Sequence, residues 1–338
     1  MIKVFIDANI WLLLYNSFSV DILKQFGKLK SLMRSGAVSV ILTKQIKDEV
    51  SRNREKKLKE VLDKTENIQF NFPFLYNGYD DLYKDLYTSF VNFQNLNKQM
   101  RERIHTDIFA ERLPQDVLIK EMFELSNELE TSPAIIEKAI TRWKIIGNPP
   151  GKDDKCGDAI SWETLLDKCD VGEDIFFISD DKDFRSVLDE GKIKQFLSNE
   201  WEAVKNSKIY FYRGMSEFIS KHIEDIRSDT RKKQDAIIEM LENSGSFATT
   251  HRIIEQMAVY DDWTIEHVEK IAQVARRNNQ ISWILSDDDI SEFMKKLLNP
   301  LVGERVSEEI EWLRTRLGIT ESKEPEVMDV INDSDIIF

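Results

Sequence analysis

The chain has 338 residues, with 47 lysines and arginines against 61 aspartates and glutamates, a net charge of −14. That balance opposes general attraction to nucleic acid or anionic membranes, while the length leaves ample material for a buried core in one large domain or two. Two cysteines, Cys156 and Cys169, are too few for a disulfide framework and lack the spacing of a zinc site, so they read as free thiols in a reducing compartment.

Ile2 to Ile6 is a β-branched and aromatic run that predicts a buried parallel strand ending directly at Asp7, with a helix from about Ile10. The N-terminal stretch is apolar, but a signal peptide has a basic front end without a central acid, and Asp7 breaks that pattern. No run of about 18 apolar residues occurs, so no membrane span is expected and the protein is expected to be cytoplasmic. Ala37 to Leu42 predicts a second strand, and Thr43 offers an N-cap for a helix carrying Ile46, Glu49 and Val50.

Phe70 to about Trp143 reads as helical and aromatic-rich until Gly147-Asn148-Pro149-Pro150-Gly151 breaks regular structure. A helix then opens near Asp158. Asp174 to Ile178 is a strand ending at Ser179-Asp180-Asp181-Lys182-Asp183, and Lys208 to Tyr212 is a last strand before a helix near Met215. Strands alternating with helices predict an α/β fold with a parallel sheet covered on both faces. The expected boundaries are an α/β domain over 1–228 with a helical insertion at about 70–145, a helical C-terminal domain over 229–318, and an acidic tail over 319–338. Arg231-Lys232-Lys233-Gln234 reads as the charged junction between the domains.

Ligands of open parallel sheets bind beyond the carboxyl ends of the strands, where Asp7 and Asp181 both fall. Glu49 and Asp158 are placed to face the same crevice. Four carboxylates from four segments would repel one another without divalent cations, and oxygen donors without histidine favour magnesium or manganese over zinc. Such ions activate water and neutralise a phosphodiester, so hydrolysis is the expected chemistry. The plainer readings are a turn aspartate for Asp7, a solvated helix residue for Glu49, a helix cap for Asp158, and an ordinary strand-to-helix turn for Asp180 to Asp183. Asp181 is favoured as the principal ligand of that turn, Asp183 as auxiliary and Asp180 as local.

Phe5-Ile6-Asp7-Ala8-Asn9-Ile10-Trp11, the stretch GDAISWETLL at 157–166 and IFFISDDKDF at 175–184 resemble the PIN domain in order and spacing. The resemblance implies a three-layer α/β/α fold with a central parallel sheet, here carrying a helical insertion and followed by a small C-terminal helical domain. It implies magnesium- or manganese-dependent RNA cleavage by Asp7, Glu49, Asp158 and Asp181, with Asp183 as a further metal ligand. Asn9 and Ser179 match the family's positions beside the first and fourth acids and would act in positioning. GNPPGK at 147–152 and the GDxxxWE form resemble a bacterial subgroup of larger PIN-like proteins.

Lys47 and Arg52, on the cation-rich helix after Thr43, and Lys152 and Lys155, close to Asp158, are candidate RNA-backbone contacts; a solvated face is equally economical. The aromatic series Phe70, Phe72, Phe74, Tyr76, Tyr79, Tyr83, Tyr87, Phe90 and Phe93 offers stacking platforms, but its helical spacing points to core packing. Ser286-Asp287-Asp288-Asp289 reads as a capping box. The C-terminal helices are a candidate site for a protein partner or inhibitor, and oligomeric state is left open. The rivals are a haloacid-dehalogenase-type phosphatase, opposed by Asn9 where a second aspartate is needed, a DNA nuclease using the same metal site, and a non-catalytic PIN-like interaction module.

Overall fold

The computed structural model describes residues 2–16, 20–66, 76, 80–151 and 155–319. Its first compact unit, Met1–Ile226, is organised by a five-stranded sheet. The strands are β1 (Ile2–Ile6), β2 (Val38–Thr43), β3 (Asn127–Leu129), β4 (Ile175–Ile178) and β5 (Ile209–Tyr212), in spatial order β3-β2-β1-β4-β5, every pair parallel. Parallel strands need helical crossovers, which cover both faces. This explains why Val4, Phe5, Val40, Phe177 and Ile178 are all buried whichever face they take.

The helices of this unit are α1 (Ala8–Trp11), α2 (Leu13–Asn16), α3 (Val20–Arg34), α4 (Lys44–Glu66), α5 (Asp80–Phe109), α6 (Pro114–Leu125), α7 (Pro133–Ile140), α8 (Gly157–Lys168) and α9 (Gln195–Lys205). α10 (Met215–Glu242) leaves it. Local chemistry sets several boundaries. Gly36, at φ +68°, closes α3 in the left-handed conformation that a side chain would strain. Thr43 Oγ1 accepts the Ile46 N–H at 3.3 Å and caps α4 as expected. β1, β2, β4 and β5 begin and end within a residue of their expected limits, whereas β3 was not expected, and the first helix starts at Ala8 rather than Ile10, directly on Asp7.

The core of this unit is aromatic. Phe177 packs on Phe5, Phe184 and Trp162, and Trp162 packs on Trp201. Beside it a charge cluster around the buried Arg142 explains two motifs. Arg142, in the π-helical turn Thr141–Ile146, donates to Glu163 Oε1 at 2.7 Å, to both carboxylate oxygens of Glu200 and to the Pro149 carbonyl at 2.8 Å. Trp162 Nε1 donates to Glu200 Oε2 at 2.7 Å. The Trp-Glu of GDxxxWE and the first proline of GNPPG therefore meet on one guanidinium. Gly147 supplies a backbone at φ +81° after the turn, and a Cβ on Gly151 would collide with the Trp143 indole at 2.2 Å.

The second unit, Arg227–Phe338, is helical where it is described. The end of α10 joins α11 (Phe247–Met257), α12 (Ile265–Arg277), α13 (Asn279–Ser282), α14 (Asp288–Leu298) and α15 (Glu308–Arg316) around Leu241, Met257, Ile271, Met294 and Leu313. Arg231 to Gln234 lies inside α10, where Gln234 is buried and its Nε2 donates to the Asp262 carbonyl. Ser286 forms no capping box. Asp287 is the N-cap residue of α14, without a side-chain cap bond, and Asp287 and Asp289 flank the imidazole of His251 instead. The expected tail, from residue 320 on, lies outside the described residues.

Breaking the Arg142 cluster from one side strands two partly buried carboxylates, Glu163 and Glu200. Arg142→Met is expected to cost about 1–3 kcal/mol, read as a lower urea midpoint with an unchanged slope. Glu200→Gln, which keeps an acceptor for Trp162, should cost visibly less.

Candidate active site

Chain order determines where the crevice opens. From β1 the chain moves to β2 and β3 on one side, then crosses to β4 and β5 on the other, so the switch point lies at the carboxyl ends of β1 and β4. Ile6 pairs with Ile178, which sets Asp7 and Ser179 side by side. The Asp7 N–H donates to the Ile178 carbonyl at 2.9 Å and the Ser179 N–H to that of Tyr212 at 3.0 Å, so both residues are still gripped by the sheet.

Beyond the backbone, the side chains form a relay. Ser179 Oγ donates to Asp7 Oδ2 at 2.5 Å and accepts the Asp181 N–H at 3.0 Å. Asp181 Oδ1 in turn accepts the Asp183 N–H at 2.9 Å, an Asx turn that shapes the loop. The other Asp7 oxygen accepts the Ala8 N–H at 2.7 Å. Asp180 points elsewhere, to Arg185 and Arg213.

The other two acids arrive on helices. Asp158 lies in the first turn of α8, and one turn later Ser161 Oγ stands 3.2 Å from Thr43 Oγ1, a buried hydroxyl pair that pins α8 to the end of β2. Glu49 lies on α4. The side chains of Gln45 and Glu49 cross the start of α8: a Cβ built on Gly157 would lie 2.7 Å from Gln45 Nε2 and 3.7 Å from Glu49 Oε2. Neither the hydroxyl pair nor Gln45 was foreseen from the sequence, where Thr43 signalled only a cap.

Electrostatics links all five acids. Burial pushes the Asp7 carboxyl up to about 7; the Ser179 hydrogen bond opposes this, and the charges of Glu49 and Asp181 add to it. Burial likewise pushes Asp158 up to about 8, reinforced by Asp7, Asp181, Glu49 and Asp183. The strongest charges acting on Asp158 are thus all negative. Asn9 Oδ1, two residues past Asp7, is buried without a hydrogen-bond partner among the described residues.

A donor set of carboxylate oxygens without histidine suits a hard divalent cation. Among the described residues, however, no three Asp, Glu, His or Cys side chains form a finished metal cage. The acids feel one another's charge without closing on a common point.

The cations expected to touch RNA are less uniform. Lys47 is paired with Glu128 at 2.6 Å and Lys44 with Asp48 at 3.5 Å, while Arg52 and Lys155 are exposed; Lys152 lies outside the described residues. Arg54 forks onto the buried Asp116 at 2.7 and 2.6 Å, and Asp116 also accepts the Tyr15 hydroxyl. This ion pair borders a cavity of about 750 Å³ along α4, which none of the four acids lines. Of the aromatic series, Phe70, Phe72, Phe74 and Tyr79 lie outside the described residues, and Tyr87 and Phe93 are exposed rather than in the core.

A parallel α/β sheet with acids gathered at its switch point defines a class of fold suited to divalent-cation chemistry. A family model described as PIN domain matches residues 4–184, and the chain belongs to that family, whose fold is of nuclease type and typically works with divalent metal. Searches of curated proteins and of solved structures returned no match. No described helix is long and apolar enough to cross a membrane.

Two outcomes follow from the buried acids. In metal-free protein, folded Asp7 and Asp158 retain protons that the unfolded chain has released above 3.8, so these two groups make stability fall as pH rises from about 4 through 7 to 8. Melting in EDTA at pH 5 and pH 8 measures this loss, which Asp7→Asn should reduce. Ser179→Ala, which frees Asp7 Oδ2, is expected to weaken manganese binding by roughly 10–100-fold in titration calorimetry, by analogy with lost outer-shell partners.

Proposed function

We propose that this protein is a metal-dependent endoribonuclease that hydrolyses RNA phosphodiester bonds with Asp7, Glu49, Asp158 and Asp181 as its carboxylates and Mg²⁺ or Mn²⁺ as its ion. Asp183 serves as an auxiliary ligand. The observation that carries this reading is the gathering of acids at the switch point, where the buried Asp7 and the partly buried Asp158 both feel the like charge of Glu49 and Asp181.

A divalent cation held by these residues would lower the pKa of a water molecule and neutralise charge on the phosphodiester. The chain supplies the rest. Ser179 holds Asp7 Oδ2 in a fixed rotamer, and each Asp7 oxygen keeps a lone pair beyond its hydrogen bond. Asn9 contributes a buried neutral oxygen that nothing else in the described chain satisfies. The hydroxyl pair between Thr43 and Ser161 keeps the first turn of α8, and Asp158 with it, against the sheet. Exposed Arg52 and Lys155 are the first choices for backbone phosphates, and Lys47 would have to exchange Glu128 for one.

The choice of RNA over DNA rests on the family resemblance, because the carboxylates touch no sugar. The rival reading is a binding module without catalysis, favoured by the lack of a finished cage among the described residues. Cleavage of end-labelled single-stranded RNA, structured RNA and DNA, with magnesium, manganese or EDTA, separates these. Wild-type protein should cut RNA internally only with metal, and Asp7→Asn, prepared identically, should lose at least about 100-fold of that activity. Equal cutting by both proteins, or preference for DNA, overturns the assignment. Manganese binding without cleavage of any substrate moves it to the binding module.

A further inference from the structure

Between Lys44 and Lys59, helix α4 carries seven lysines and arginines. Four of them are held by carboxylates: Lys44 by Asp48, Lys47 by Glu128, Arg54 by Asp116 and Lys57 by Glu60. The other three, Arg52, Lys56 and Lys59, are exposed and form no ion pair among the described residues. The exposed Glu55, three positions from Arg52 and four from Lys59, takes neither.

Helical periodicity puts these three cations on one stripe. Positions 45, 49, 52, 56 and 59 alternate steps of four and three, the spacing that keeps side chains on one face. The stripe begins with Gln45 and Glu49, whose side chains meet the start of α8 in the crevice, and continues outward as Arg52, Lys56 and Lys59 until Asp63 ends it. Like charges at these spacings weaken a helix, and a chain with 61 acidic residues against 47 basic ones has acids enough to pair them. A solvated face accounts for scattered cations. It does not account for the unpaired ones alone sharing a stripe with an acid of the crevice.

We infer that this stripe is a track for the substrate strand, holding three phosphates on one side of the bond that is cut, with Arg52 nearest the crevice and Lys59 farthest. The track presupposes the nuclease reading above and adds to it a path for the strand and a count of its phosphate contacts. Arg52 lies about 4.5 Å along the helix axis from Glu49, Lys56 about 6 Å further and Lys59 about 4.5 Å beyond that. A strand whose scissile phosphate sits at the acids therefore passes Arg52 next, and long flexible side chains let each cation reach its own phosphate. One row serves one strand: the second strand of a duplex would find the remaining cations of α4 already paired. Contacts of this kind position a strand without reading its bases.

Binding in EDTA with Asp7→Asn protein measures contact without cutting. Anisotropy of a fluorescein-labelled single-stranded oligouridylate across a KCl series gives the slope of log Kd against log salt, to which each phosphate contact contributes about 0.7. Adding Arg52→Gln, Lys56→Gln and Lys59→Gln should flatten the slope by about 2 and weaken binding on the order of 100-fold at about 0.1 M salt. All three side chains are exposed, so no loss of melting temperature is expected. Arg52→Lys with Lys56→Arg and Lys59→Arg, which keep the charge, should restore the slope. Lys138→Gln, Lys168→Gln and Lys296→Gln, which remove as many charges from paired lysines elsewhere, should leave it unchanged. With metal and Asp7 intact, the glutamine triple on α4 should raise KM for RNA more than it lowers kcat. An unchanged slope in that triple overturns the track and leaves the row to an acidic protein surface. Equal flattening by the Lys138 set, or no salt-dependent binding of the oligonucleotide, overturns it as well. RNA cutting by wild type together with an unchanged slope removes the track alone; a flattened slope in a protein that cuts nothing upholds the strand contact and removes the cleavage reading alone.

Discussion

The hydrogen bond from Ser179 to Asp7 joins the two strands on either side of the switch point, and the rest of the crevice is arranged around it. A carboxylate buried at a strand end is costly unless something holds its charge, and a single hydroxyl does so only in part. What remains is a site that is electrostatically unfinished. Asp181 hangs from the same hydroxyl through its N–H, while Asp158 and Glu49 come close enough to add repulsion. The sheet supplies the rigidity that allows such an arrangement to persist: both Asp7 and Ser179 are held by backbone bonds to neighbouring strands.

The stretches 147–151 and 157–163 have two separate jobs. Gly157 and Asp158 belong to the crevice, whereas Trp162 and Glu163, one turn further along α8, face away toward Arg142. Arg142 binds the π-helical turn, the Pro149 carbonyl and two helices at once, so the orientation of α8 depends on a cluster remote from the acids it carries. Arginine suits this place because its planar fork serves several acceptors in fixed directions and stays charged when buried.

Much of the sheet was legible in the sequence because parallel strands buried on both faces read as continuous apolar runs, and four of the five announced themselves in this way. β3 did not: Asn127-Glu128-Leu129 is three residues long, lies at the sheet edge and pairs only with β2, so no pattern of burial marks it. The positions of Asp7 and Asp158 were legible through the residues around them, a strand ending in an acid and an acid opening a helix. Arg142, Thr43 and Ser161 were not, since their partners are distant in the chain and an arginine or a hydroxyl in a helix has no periodic signature. The exposed row of α5 misled for the opposite reason. Apolar residues at helical spacing look the same whether they face a core or solvent, and spacing alone does not say which.

The basic row of α4 looks from composition like a ready track for a polyanion, yet Lys44, Lys47 and Arg54 already have carboxylate partners. Those three side chains are neutralised from within, which leaves exposed cations such as Arg52 to meet a phosphate backbone. Attraction at long range is weak in a chain of net charge −14. A polyanion would therefore gain little from the chain's net charge, and discrimination would fall to the last few ångströms, to the side chains it touches.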